Sequence, residues 1–269
     1  MVDNTPYWAV DPHTWDMSYL DLRSTCAEVT FNIHKEEVVQ HLIQAIQERG
    51  GKIFVSFMYY DREYQRYTED EILQLAQFGS NIIHASIWLG EHVTTLAVSE
   101  TVFMTQSPLN FGRWELVQLP FTNIPLAFRI AVDIAIKCTK KHIHYSDHRW
   151  TVIKHVLSRL LIPGYKGWGG HDYDPDKPET WQDGLHCSQL ALLFLKRCAI
   201  RGALYTPPKH TQKLLNTASS TCLPADLRKL VFEIWGGVGE FRDYRDVGTN
   251  VRKAWYKHYD GMRDTPLLQ

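Results

Sequence analysis

The chain has 269 residues, 44% hydrophobic and 22% charged, with a formal net charge of −1 and a pI near 6.9. That length and composition suit one large globular domain, or one domain with appendages, able to bury a substantial core. The balanced charge gives no electrostatic reason to expect nucleic acid or an anionic membrane as a partner, and the longest apolar runs, such as Leu190 to Leu195, are too short to span a bilayer.

Residues 1–34 read as an irregular N-terminal arm or cap rich in Trp, Tyr, Pro and Asp, with Trp8, Trp15 and Tyr19 expected to pack on the body. The opening Met1-Val2-Asp3-Asn4-Thr5-Pro6 lacks the basic start and apolar centre of a secretory signal, which favours an intracellular, cytoplasmic setting. Val38, Val39, Leu42, Ile43 and Ile46 recur at helical spacing, predicting a helix from Lys35 to Glu48 that stops at Gly50-Gly51. A strand follows at Lys52 to Met58. Thr68-Glu69-Asp70-Glu71 opens a second helix, with acids in its first turn and a stop at Gly79.

The segment Ile82 to Gly90 is β-branched and aromatic and ends in a turn, so it reads as a strand. Alternation puts His84, Ser86 and Trp88 on one face and Ala85, Ile87 and Leu89 on the other. An antiparallel partner strand is expected from about Thr95 to Met104, and it carries Glu100. A shorter strand is expected at Trp114 to Leu119, then helices at Pro125 to Lys140, Arg149 to Leu161 and Pro224 to Trp235. Residues 236–269 form a mixed-charge C-terminal tail, docked in part through Trp255, Tyr256 and Tyr259. The sum is an α+β fold, a small antiparallel β-sheet packed against helices.

The most informative stretch is Gly184-Leu185-His186-Cys187-Ser188-Gln189-Leu190, where a Gly-, Pro- and Asp-rich loop turns into a strongly apolar helix. Cys187 is expected in the first turn, where unpaired N–H groups and the helix dipole favour a thiolate. Cysteines in apolar helices commonly serve packing, and Cys198 fits that description. Cys187 fits it less well, because Asp183, Gly184, Ser188 and Gln189 surround it with polar sequence. A nucleophilic thiol needs a base, and His84 is the conspicuous candidate. Glu100 on the neighbouring strand is the candidate orienter, with Ser99, Thr95 or a backbone carbonyl as alternatives. The five cysteines, Cys26, Cys138, Cys187, Cys198 and Cys222, show no paired spacing, which suits free thiols in a reducing compartment.

His84-Ala85-Ser86-Ile87-Trp88-Leu89-Gly90, then Glu100, then Cys187-Ser188-Gln189-Leu190 resembles the pattern of the circularly permuted NlpC/P60 families of papain-like thiol enzymes. In those families the histidine precedes the cysteine. Thr221-Cys222-Leu223-Pro224-Ala225-Asp226-Leu227 also resembles the element that follows their cysteine helix, and the likeness spans roughly residues 52 to 235. Gln189 departs from the family, which has glutamate there. The resemblance implies a permuted papain-like core, a catalytic domain over 35–235, and a cysteine-dependent hydrolase (peptidase or amidase) or acyltransferase. Its catalytic residues are Cys187, His84 and Glu100, its intermediate is an acyl-enzyme, and it needs no cofactor. The implied substrate is a protein, peptide or lipid carrying an amide or ester bond. The alternative is an inactive descendant that binds a partner through the same cleft.

Other constellations are weaker. Cys138 with His142, His144 and His148 matches no standard zinc spacing. Asp172-Tyr173-Asp174-Pro175-Asp176 alternates acids like a calcium loop but lacks that loop's glycine and its bidentate glutamate. The run Gly164 to His171 lacks the Gly-Lys-Ser/Thr ending of a phosphate loop and reads as a substrate-lining loop or lid. His186, adjacent to the thiol, is a poor substitute for His84, and Tyr59 and Tyr60 are candidates for an oxyanion donor or for the core.

Overall fold

The computed structural model describes residues 29–30, 33–48, 50–59, 82–90, 95–98, 102–106, 113–141, 143, 173–181, 185–220 and 222–243. Among these residues, seven strands form one antiparallel sheet: β1 (Val29–Thr30), β2 (Phe54–Tyr59), β3 (Ile82–Trp88), β4 (Thr95–Val98), β5 (Val102–Gln106), β6 (Arg113–Gln118) and β7 (Glu240–Asp243). Their order across the sheet is β1-β5-β4-β3-β2-β6-β7. The helices are α1 (Glu36–Glu48), α2 (Ile124–Lys140), α3 (Cys187–Ile200), α4 (Pro208–Asn216) and α5 (Pro224–Trp235), with a 3-10 turn at Pro178–Thr180.

Mixed helix and antiparallel strand is what periodicity predicts, and α1 and α5 keep their expected bounds closely. The single strand expected from Thr95 to Met104 is instead two, β4 and β5, paired to each other from Thr95↔Thr105 to Val98↔Val102. The sheet also reaches into both flanks of the expected core. β1 comes from the N-terminal arm and pairs with β5, while β7 comes from the tail and pairs with β6. Strands this short carry too few alternating residues to register as a pattern. The helices expected at 68–79 and 149–161, the loop 164–171 and the aromatic residues of the arm and tail lie outside the described residues.

The two faces of the sheet bury different partners. Val55, Phe57, Ala85, Ile87 and Val117 join the main core with the helices, while Phe54, Trp88, Trp114 and Leu116, with Met58 against them, form a separate apolar cluster. A β-bulge keeps these sets apart at the start of β3. Met58 pairs with His84 but Tyr59 pairs with Ile82, so Ile83 is skipped and the alternation changes phase. Ile82 therefore joins the main core, although simple alternation would put it on the face of His84.

Helix α3 is buried from Cys187 to Cys198 and packs on β3 and β4. Its apolar residues explain its place at the centre of the main core. Helix α2 begins at Asn123, whose Oδ1 accepts the Leu126 N–H at 3.0 Å, with Pro125 in its first turn. Helix α5 begins at Pro224, where Asp226 reaches back to the Leu223 N–H at 3.3 Å.

One ionic group locks α5 and the β7 edge to the sheet. Glu115 is 1% exposed and accepts two bonds from Arg228, at 2.6 and 2.9 Å, and one from the Tyr59 hydroxyl at 2.7 Å. Arg228 also lies over the Phe232 ring, 4.4 Å from its centroid. Gly239 closes the arrangement, for a Cβ there would fall 2.3 Å from Glu115 Oε1. Burial and the bond to Glu115 push the Tyr59 hydroxyl up to about 12.

Glu115→Ala strands Arg228 and Tyr59 and should lower stability by about 2–3 kcal/mol in urea denaturation, the range for a hydrogen bond to a charged group. Gly239→Ala should destabilise in the same direction by forcing Glu115 aside. The folded-state pKa of Tyr59 is raised, so the stability it contributes is full below ~10 and is lost as pH rises through about 12. Tyr59→Phe should remove that alkaline loss, which denaturation midpoints measured from neutral to strongly alkaline pH would reveal.

Candidate functional site

The site assembles where the start of α3 meets the open edge of β3. Strand β4 pairs with β3 only at Ile87 and Trp88, so the Ile82–Ser86 half of that edge has no strand partner among the described residues. Cys187, the first residue of α3, fills this position. Its Sγ hydrogen-bonds the His84 side chain and accepts from the backbone N–H groups of Ala85 and Ser188. Cys187 is 7% exposed. Burial by itself pushes the thiol up, but the His84 imidazole and the two backbone N–H groups together outweigh it and lower its pKa.

The contrast with the other thiols is instructive. Burial pushes Cys138 up to about 12, helped by the nearby Asp133 carboxylate. Burial also raises Cys198 well above the ordinary thiol range. The four described cysteines are all buried, and none of them forms a disulfide. Only a specific set of donors reverses the effect of burial, and among the buried thiols whose pKa shifts, Cys187 alone has that set.

His186 has a different role from that of a base. It is the N-cap of α3, its Nδ1 accepting the Gln189 N–H at 3.1 Å. A ring nitrogen that accepts a backbone N–H carries no proton, so the proton sits on Nε2, which faces the Ser220 carbonyl at 3.4 Å. Ser188 donates to the Cys222 carbonyl at 2.6 Å, tying the start of α3 to the segment that leads into α5. Capping residues are ordinarily Ser, Thr, Asp or Asn, and the sequence signal that was available is position alone: His186 stands where the loop gives way to the helix, four residues before the apolar run that begins at Leu190.

The segment before the thiol is pinned from both ends. Trp181 is fully buried, its indole N–H donates to the Asp174 carbonyl at 2.9 Å, and Tyr173 stacks on it with centroids 5.9 Å apart. Asp176 accepts from Arg201 at 2.6 Å and lies 3.9 Å from Arg197, which also bonds Asp133 at 2.6 Å. Asp174 caps its own turn through the Asp176 N–H and pairs with Lys177. These two acids of the calcium-like run are thus engaged by cations and backbone of the chain itself. Among the described residues, no group of three or more His, Cys, Asp and Glu side chains could hold a metal ion.

The structure therefore brings together Cys187 and His84. Glu100, the candidate orienter, lies outside the described residues, as do Ser99, His142, His144 and His148. Tyr59 donates to Glu115 on the helix-covered face. On the other face, the Trp114 ring stands perpendicular to the His84 ring (86°), with centroids 6.1 Å apart. That contact was not foreseeable, because Trp114 reaches His84 only through the pairing of β6 with β2 and β2 with β3. Comparison with family models, curated proteins and solved structures finds no match. Among the described residues, no helix is long and apolar enough to cross a membrane.

His186→Ala should lower stability by about 1 kcal/mol through loss of the cap, and His186→Asn should restore most of it. If His186 serves only the helix end, the His186→Asn protein should keep the reactivity of Cys187 toward iodoacetamide near neutral pH.

Proposed function

We propose that the protein is a cysteine-dependent hydrolase or acyltransferase acting on an amide or ester bond, with Cys187 as nucleophile and His84 as its base. One observation carries this reading: a buried thiol at a helix start is shifted toward the thiolate by a hydrogen-bonded imidazole. The order of the chain supports it as well. A histidine strand precedes a cysteine helix within an antiparallel sheet, the arrangement that the likeness to the permuted NlpC/P60 families implies.

In this mechanism the Cys187 thiolate attacks the carbonyl carbon, and the C–S bond forms as the carbonyl electrons move onto oxygen. The Cys187 N–H, at the start of the helix, helps hold the oxyanion. Collapse breaks the bond to the leaving amine or alcohol, which takes its proton from the His84 imidazolium. Water, or an acceptor hydroxyl or amine, then attacks the thioester while His84 removes its proton, and the acyl group leaves with Cys187 regenerated. Glu100 is the proposed orienter of His84. A protein, peptide or lipid amide or ester inside the cell is the proposed substrate class.

Iodoacetamide should label Cys187 well below pH ~8, ahead of Cys138 and Cys198, because an unperturbed thiol is scarcely ionised there. His84→Ala should cut the rate at pH 6 by at least about tenfold, allowing for the higher intrinsic nucleophilicity of a less acidic thiol. Cys187→Ala should abolish turnover of any ester or amide substrate found by screening. A thiol that is inert, or indifferent to His84, would leave the binding-protein alternative.

A further inference from the structure

We propose that Trp114 is a positioning residue that fixes the plane of the His84 ring toward Cys187, an inference that rests on the Cys187–His84 reading above. The three residues His84, Met58 and Trp114 lie in one row across β3, β2 and β6, on the sheet face away from the main core. The indole is 5% exposed, and its perpendicular contact with the imidazole is a preferred aromatic geometry.

A histidine ring rotates easily about its Cβ–Cγ bond, since that torsion has only broad wells. Rotation takes the nitrogen that bonds Cys187 out of line. A large, flat, immobile neighbour resists it. Trp114 is immobile for a visible reason: it packs against Trp88, centroids 5.3 Å apart. The Trp88 indole N–H donates to Ser86 Oγ at 3.1 Å, and Ser86 Oγ lies 2.7 Å from Ser56 Oγ, which also contacts the Ser86 carbonyl at 3.1 Å. Both serines are buried. This row of polar and aromatic groups braces Trp114 from the strand that carries His84.

Among the described side chains, the other titratable groups on the elements packed around His84 have partners of their own or lie at the surface. Tyr59 of β2, Glu115 of β6 and Arg228 of α5 bond one another on the opposite face. On α5, Asp226 accepts from the Leu223 N–H, Glu233 pairs with Lys213, and Lys229 is exposed. On α3, His186 caps the helix, Lys196 donates to the Thr217 carbonyl and Arg197 bonds Asp133. The His84 imidazole lowers the Cys187 pKa, so the ionisation of the thiol reports the ring's placement.

The test is the pH dependence of Cys187 alkylation by iodoacetamide in wild type, His84→Ala, Trp114→Met and Trp114→Phe, with circular dichroism as the check on folding. Trp114→Met, flexible and ringless, should move the acid limb up by about one pH unit and slow labelling at pH 6 by about tenfold, the scale of an aromatic pair contact. Trp114→Phe, which restores a flat ring, should recover most of that loss. A folded Trp114→Met protein with the wild-type profile overturns the role of Trp114 alone. An ordinary thiol profile in wild type, unchanged in His84→Ala, overturns the Cys187–His84 reading and this inference with it. Should Trp114→Met fail to fold, indole fluorescence of wild type and His84→Gln decides. An imidazolium quenches an adjacent indole, so wild type should brighten at alkaline pH as the His84 imidazolium loses its proton, a rise that His84→Gln lacks; identical titrations in the two overturn the proposal.

Discussion

A helix buried along nearly its whole length must also bring its unpaired N-terminal amides into the interior, and those amides need acceptors. Helix α3 is in that position, buried from Cys187 to Cys198. His186 Nδ1 accepts the Gln189 N–H, and Cys187 Sγ accepts the Ser188 N–H. The same demand that stabilises the helix start therefore favours negative charge on sulfur. The His84 imidazole beside that sulfur lowers the thiol pKa further, against the effect of burial. The lowered pKa of the thiol and the capping of the central helix arise from one local arrangement.

The sheet supplies the imidazole from its other side. Regular alternation from Trp88 through Ser86 puts His84 on the face lined by Met58 and Trp114, while Ala85 faces the main core and directs its N–H to Cys187. Among the described residues the Ile82–Ser86 half of the β3 edge has no strand partner, and it is there that a helix terminus approaches the strand. A β4 that continued its pairing would consume the Ala85 N–H and exclude the thiol. Thus a short partner strand, ordinarily a loss of sheet hydrogen bonding, is the feature that makes room for the site.

Two polar groups hold this geometry from a distance. Glu115, Arg228 and Tyr59 tie α5 to the centre of the sheet, and Gly239 lets β7 pass close over the carboxylate. Asp176 with Arg197 and Arg201 fastens the segment that runs into Cys187 onto the far end of α3. Arg197 is largely buried, with Nε and Nη1 lacking a hydrogen-bond partner among the described residues. Its charge is balanced instead by Asp133 and the nearby Asp176. Such pairs contribute modestly to stability on balance, whereas removing one partner of a buried pair is strongly destabilising.

The sequence by itself determined the parts that depend on local pattern. Residues 36–48 and 224–235 announce helices through apolar spacing and their end signals, and Ile82 to Trp88 announces a strand through β-branched and aromatic residues. The change from polar loop to apolar run marks Cys187 as a helix-start thiol, because capping and dipole effects act within a single turn. His84 was legible as a partner through its strand context and its family-like motif. Tertiary structure alone decided which groups face each other across long separations. The bulge at Ile83 leaves no mark in a periodicity, strands as short as β1 and β7 have too few residues to show one, and the break between β4 and β5 depends on pairing. Trp114 meets His84 because β2 lies between their strands, and Glu115 finds Arg228 because α5 packs back on the sheet. Local pattern records the energetics of neighbours along the chain; pairing register and burial depend on contacts between segments that the sequence keeps far apart.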